Sequence, residues 1–315
     1  MNVVVIGAGA VGGYFGGRLA QAGADVSFYV RDKRFKQLRE RGLQVRSTHG
    51  DFTLNPHLVT EMSELPNADI VLLTVKGYHL PGTFPVLDAL VARGAVVLPL
   101  LNGVNHIDTL VQRYEAAHVL GGACYIESTL TDDGDIAHTS PMHDIVFGPL
   151  PDDSVHGLGG PGRAMLEQLQ NTFVAANVNS TLSADVLADM WQKYVFLTSF
   201  SAVTAAVRGP IGKVLQDEIA RNLLIQLVKE VEAIARAKGV GLADDLVNQI
   251  VQRLYHVSPS MTSSLHRDLE KGMPLELDEL QGAAVHMGRQ VGVDTPGFAV
   301  IYALLHPYAS GVSGR

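Results

Sequence analysis

The chain opens Met1-Asn2-Val3-Val4-Val5-Ile6-Gly7-Ala8-Gly9-Ala10-Val11-Gly12-Gly13-Tyr14-Phe15-Gly16-Gly17. Val3 to Ile6 are four β-branched residues in a row, the mark of a short buried strand. Gly7, Gly9 and Gly12 then fit GxGxxG, and an apolar helix with Tyr14, Phe15, Leu19 and Ala20 runs to a stop at Gly23. Strand, glycine turn and helix in that order make a unit that holds a dinucleotide. Gly7 permits the tight turn, Gly9 lets the backbone approach a pyrophosphate, and Gly12 lets the helix pack closely. The run Gly7-Ala8-Gly9-Ala10-Val11-Gly12 is the expected cofactor contact, through free N–H groups and the positive end of the helix dipole.

The 315 residues give room for about two domains. A hydrophobic content of 47% supports a large core and excludes general disorder. The formal net charge of -8 argues against nucleic-acid or membrane-surface binding, so any phosphate must meet a local basic patch. The single cysteine, Cys124, excludes an intrachain disulfide, fits a reducing compartment and reads as a packed apolar residue. The start lacks the basic flank of a signal peptide, and the uncharged stretch Tyr194–Val207 is short of the ~20 residues that span a bilayer. A soluble, cytoplasmic protein is expected, with a homodimer left open.

A second strand reads Asp25 to Val30. Its tip belongs beside an adenosine ribose, where counting from the last glycine favours Asp32 and an NAD preference. Arg31, Lys33 and Arg34 surround that acid, and three cations suit a 2′-phosphate, so NADP is favoured. Short β-like pieces fill 43–60. Ala68–Val75 is a strong strand ending in Lys76-Gly77, which places Lys76 at the ligand crevice or in solvent. Gly94–Leu101 is another strand, followed by Asn102-Gly103; Asn102 offers an amide to a ligand or simply makes a turn.

Residues 118–148 read as four short strands, His118–Ile126, Ser128–Thr131, Asp135–His138 and Asp144–Phe147, with a hairpin at Asp132-Asp133-Gly134. His138 and His143 flank Pro141 and lack a third ligand at metal-site spacing, so no metal is expected. A surface loop covers 149–163; a helix (Arg163–Ala176) and a strand (Asn177–Thr181) close the sheet.

From Ser183 helical periodicity takes over, so the expected domains are 1–182, an α/β dinucleotide-binding unit of the Rossmann type, and 183–315, all helical. Ser183 reads as an N-cap. Met190 to Leu197 is apolar around Lys193, and a lysine buried there needs a partner or a job. Val214 through Ile234 form one long amphipathic helix, Ile219 included, closed by Lys238-Gly239. Another helix covers Asp244–Tyr255. Hydroxyls at 258–264 precede a helix, the acids after Pro274 open a further one, and a polar tail covers 310–315.

Taken together and in order, Gly7 to Gly12, Val30-Arg31, Thr74-Val75-Lys76, Leu101-Asn102-Gly103, Trp191-Gln192-Lys193-Tyr194, Ser263 through Glu276 to Gly282, and Gly292 to Pro296 resemble the ketopantoate reductases (2-dehydropantoate 2-reductases) over nearly the whole chain. The resemblance implies a Rossmann domain, a helical second domain and a site between them. It also implies NADPH as hydride donor, a 2-keto acid as substrate and a place in pantothenate biosynthesis. Carried over by position, Lys193 is the catalytic lysine and Glu276 its acidic partner; Ser264 is a substrate-binding serine. Lys76 and Asn102 face cofactor and substrate, and Arg31 reads the 2′-phosphate. The family's asparagines four and eight residues after the lysine are here Leu197 and Ser201, with Ser201 left as a candidate substrate contact. That departure keeps open a more apolar substrate, as in a hydroxyacid or opine-type dehydrogenase, or a dinucleotide sensor without turnover.

Overall fold

A computed structural model describes residues 1–151 and 161–311. Most of the loop expected at 149–163, and the end of the tail, lie outside them. The chain separates into two compact units, residues 1–101 with 106–186, and residues 102–105 with 187–315. The short stretch Asn102–Asn105 thus goes with the second unit, although the expected division placed it in the first.

The first unit runs β1 (Asn2–Ile6), α1 (Ala10–Gln21), β2 (Asp25–Tyr29), α2 (Asp32–Arg41), β3 (Leu43–Ser47), β4 (Phe52–Leu54), β5 (His57–Val59), β6 (Ile70–Leu73), α3 (Phe84–Val91), β7 (Val96–Pro99), α4 (Asn105–Tyr114), β8 (Leu120–Leu130), β9 (Ile136–Pro149), α5 (Arg163–Ala175) and β10 (Asn179–Leu182). One sheet has the order β5-β2-β1-β6-β7 with every pair parallel. Val3 to Ile6 and Ile70 to Leu73 are at most 2% exposed, which is why these strands are continuous apolar runs rather than alternating ones. α4 was not anticipated, although Ile107, Leu110, Val111 and Tyr114 carry its period.

The second sheet, β10-β9-β3-β4 with β8 on β9, corrects the expected four short strands to one long hairpin. β10 closes this sheet, not the first. The β8–β9 register passes from Ile126↔His143 to Ser128↔His138, so residues 139–142 bulge opposite one residue. Pro141, which has no N–H for a ladder, sits in that bulge. The bulge also gathers imidazoles. His49 stacks on His143 at 3.6 Å, and His138 lies 5.7 Å from His49. The Tyr14 hydroxyl meets His143 Nδ1 at 2.9 Å, and Ser47 Oγ meets His138 Nδ1 at 2.8 Å.

The glycine turn is shaped as the motif demands. Gly7 has φ +100°, open to glycine at little cost. A Cβ on Gly12 would lie 2.1 Å from Thr74 Oγ1 and 2.3 Å from the Gly7 carbonyl oxygen, the second of which is backbone and cannot yield.

The second unit is helical: α6 (Val186–Val207), α7 (Ile211–Gln216), α8 (Glu218–Ala237), α9 (Leu246–His256), α10 (Ser264–Glu270), α11 (Ala283–Val291) and α12 (Pro296–Leu305). α6 begins beyond Ser183, whose hydroxyl accepts the Asp185 N–H at 3.0 Å ahead of the helix rather than capping it. The expected long helix is broken at Asp217, which leaves helical geometry and caps α8 by accepting the Ala220 N–H at 2.8 Å. Ile219, just past the break, is 82% exposed and does not belong to the buried stripe. Buried Glu230 on α8 accepts the Gly297 and Phe298 N–H groups at 2.9 and 3.1 Å, answering the positive end of α12. Among the described residues no helix is long and apolar enough to cross a membrane.

Two outcomes follow. Gly12→Ala lowers stability by roughly 1–3 kcal/mol or more, because the added methyl meets a backbone oxygen; urea unfolding measures it. His143 is pushed down to about 4, first by burial, then by His49 and His138, with Asp144 opposing. Its unfolded value is about 6.5, so the stability it contributes is complete above that pH and is lost as pH falls toward 4. Melting temperatures should fall across that window, and more steeply in wild type than in His143→Asn.

Candidate functional site

In the first unit the candidate site is the carboxyl end of the parallel sheet. Around Gly9 a Cβ would meet nothing within 4 Å, so space lies open where a pyrophosphate backbone is expected to pass. The first helical bond of α1 is Gly13 N–H to Gly9 O at 2.9 Å. The N–H groups of Ala10, Val11 and Gly12 therefore precede the ladder, and no acid in the first turn offsets the dipole. These features fit the phosphates of a dinucleotide. Ala8 is buried beneath the turn.

The basic cluster after β2 divides. Arg31, at the N-cap of α2, and Lys33 are exposed, as is Asp32. Arg34 is instead half-buried and bonded to backbone carbonyls, Ala8 O at 2.8 Å and Gly134 O at 2.7 Å. The expected three-cation patch is thus reduced to two members. Arg31 also acts on His79, whose pKa is lowered first by burial and then by that cation. Lys76 precedes the 3₁₀ turn Gly77–Thr83 that carries His79. β6 ends at Leu73, earlier than expected, so Lys76 sits half-buried three residues beyond the strand rather than at its tip.

In the second unit, three residues distant in sequence meet. Lys193, on α6, donates from Nζ to Asn102 Oδ1 at 3.4 Å. Asn102 donates from Nδ2 to Glu276 Oε2, also at 3.4 Å. Both bonds are long, but one amide faces the ammonium with its oxygen and the carboxylate with its nitrogen. Glu276 is 4% exposed. Lys193 is only half-buried, which corrects the expectation of a buried lysine and lessens its desolvation. Gly103 has φ +89°, and a Cβ there would lie 2.8 Å from the Glu279 carbonyl oxygen, so Asn-Gly is both the turn and the means of close approach.

Ser264 is the first residue of α10 and half-buried, while the capping hydroxyl is its neighbour's: Ser263 Oγ accepts the His266 N–H at 3.0 Å. Ser201 is 1% exposed. Its hydroxyl donates to Thr198 O at 3.2 Å and accepts from Gln281 Nε2 at 2.9 Å. Ser201, expected as a substrate contact, is engaged within the protein, while Leu197, one turn back on α6, is partly exposed. Sequence reasoning missed Gln281, which is fully buried in the π-helical turn Asp278–Gly282 and also donates to Thr198 O at 3.1 Å. Tyr194 ties the same turn to α6 by donating to Leu280 O at 2.7 Å. Only the sign that a π turn adjoins function could have drawn notice, and that is a structural sign.

Residues 3–152 match the family described as ketopantoate reductase PanE/ApbA, and residues 185–309 match its C-terminal counterpart. The chain is 32% identical to the uncharacterized oxidoreductase YkpB of Bacillus subtilis, over 98% of this chain and 99% of that one. It is 30% identical to a 2-dehydropantoate 2-reductase of Caulobacter vibrioides, again over 98% and 99%. The crystal structure of a 2-dehydropantoate 2-reductase from Geobacter metallireducens matches with a TM-score of 0.87 at 26% identity, covering 98% and 99% of the two chains. With both halves matched in order, a glycine turn in one unit and the Lys193–Asn102–Glu276 set in the other, the chain belongs to the ketopantoate reductase PanE/ApbA family.

Proposed function

We propose that this protein reduces a 2-keto acid to the 2-hydroxy acid with NADPH, and that 2-dehydropantoate, named for its relatives, is the first acid to try. The observation that carries the reading is the amide of Asn102 held between the Lys193 ammonium and the Glu276 carboxylate. NADPH, when bound, supplies the hydride. Gly9, the N–H groups of Ala10 and Val11, and Arg31 hold it, with Lys76 beside it. Reduction of the ketone leaves negative charge on oxygen. Lys193 places a positive N–H donor there and delivers the proton that completes the alcohol. Asn102 orients that ammonium, and Glu276 orients Asn102. Ser264 binds the acid.

A second reading, a substrate with a more apolar side chain, draws on Leu197 being half-exposed while the Ser201 hydroxyl is already taken by Gln281. Rates of NADPH oxidation across a panel of 2-keto acids, hydroxylated and aliphatic, separate the two. Binding of NADPH with no oxidation by any acid would instead assign a sensor.

Lys193→Ala should lower kcat/KM by roughly 100-fold or more while NADPH affinity stays at the wild-type value. Near-normal turnover would remove Lys193 from the mechanism. For Arg31→Ala, titration should show NADPH affinity falling by about 10-fold with NADH affinity unchanged, one charge-assisted contact being lost. Equal losses for both cofactors would sink the 2′-phosphate role.

A further inference from the structure

Arg34 lies in the first turn of α2, yet its guanidinium spans two turns of backbone. Nε donates to Ala8 O at 2.8 Å, inside GxGxxG, and Nη1 donates to Gly134 O at 2.7 Å, in the β8–β9 hairpin. A longer bond of 3.4 Å from Nη1 to Gln37 Oε1 steadies it along the helix. Gly134 has φ +86°, and a Cβ there would lie 2.7 Å from Nη1 and 3.0 Å from Gln37 Oε1. The positive φ makes this a glycine position, and a side chain there would also push on the tips of Arg34 and Gln37. Nη2 is buried with no acceptor among the described residues. The carboxylate beside the hairpin, Asp135, is engaged by Arg41 at 3.2 Å. Arg34 is thus hydrogen-bonded to two carbonyls, and Asp135 acts on it through charge alone.

Those carbonyls matter because of what they fix. Ala8 C=O and Gly9 N–H belong to one peptide plane. Gly9 N–H is committed to Gly7 O at 2.8 Å. With Arg34 on the other edge, the plane is pinned from both sides at the point where the chain enters α1. The direction of the N–H groups of Ala10 and Val11, which open the helix, depends on it.

The geometry points to Arg34 as a positioning residue for the dinucleotide, a guanidinium strap that locks the phosphate turn to the β8–β9 hairpin. It differs from exposed Arg31, whose proposed role is to distinguish the cofactors. Lysine cannot take its place, since one ammonium lacks the planar fork that reaches both carbonyls. The inference rests on the nucleotide reading of the glycine turn and asks for no particular keto acid.

The test is a titration of the full chain with NADPH and with NADH, without keto acid, for wild type, Arg34→Lys, Gly134→Ala and the double variant, with melting temperatures measured alongside. Arg34→Lys is expected to weaken both dinucleotides alike, by about 10-fold, as for one charge-assisted hydrogen bond, leaving their ratio unchanged. Gly134→Ala should do the same, and the double variant should bind no worse than the weaker single, since both act on one contact. A lowered melting temperature with unchanged affinities would reduce Arg34 to scaffold and overturn the proposal. So would a loss confined to NADPH, or losses that add in the double variant. If Arg34→Lys does not fold, Gly134→Ala makes the same comparison. Wild type binding neither dinucleotide would remove the nucleotide reading itself, a separate failure visible before any variant is compared.

Discussion

Thr74 Oγ1 stands against two carbonyl oxygens, 3.0 Å from Ile6 O and 2.8 Å from Gly7 O, and the nucleotide half of the molecule is built around that contact. It joins the end of β1, the start of the glycine turn and the chain just past β6. Gly12 passes against the same hydroxyl, with no room for a side chain. The N-terminus of α1 is consequently fixed relative to two parallel strands. An anion meeting the first N–H groups of that helix would find little reorganisation left to do on binding.

The helical unit solves a different problem. An ammonium and a carboxylate have to be kept at defined positions without collapsing onto each other. Asn102 serves because an amide is both donor and acceptor, so it satisfies Glu276 and Lys193 with opposite ends. Glu276 is buried and Lys193 only half-buried. The π turn Asp278–Gly282 begins two residues after Glu276 and is sewn to α6 by Tyr194 and Gln281. Bonds to Tyr194 and Thr198, which follow Lys193 on α6, thus hold the segment that comes after its acidic counterpart.

Some other buried polar groups are likewise paired or held neutral. Glu230 has the N-terminus of α12. His138 and His143 have Ser47 and Tyr14, and desolvation keeps their imidazoles uncharged at neutral pH. His138 and His143, which lack a third ligand at metal-site spacing, form a stacked ring cluster with His49, and among the described residues no group of three or more His, Cys, Asp or Glu is placed to hold a metal ion.

The residues of the glycine turn, the parallel strands and most helices were legible in the sequence because their signals are local. Positive φ at Gly7, a run of Val and Ile, and a stop at Gly239 depend on a few neighbouring residues. Lys193 stood out as a lysine in an apolar stretch, whereas its pairing with Glu276 was reached through resemblance, since no spacing rule links them. That Asn102 stands between them required contacts 91 and 174 residues apart in the chain. Folding likewise decided that Ser201 is spent on Gln281, that four strand pieces are two long strands around a Pro141 bulge, and that Arg34 leaves the basic cluster for two backbone turns. Composition and period set which residues are buried and which are helical. Only packing sets where a particular side chain points and which distant group it meets.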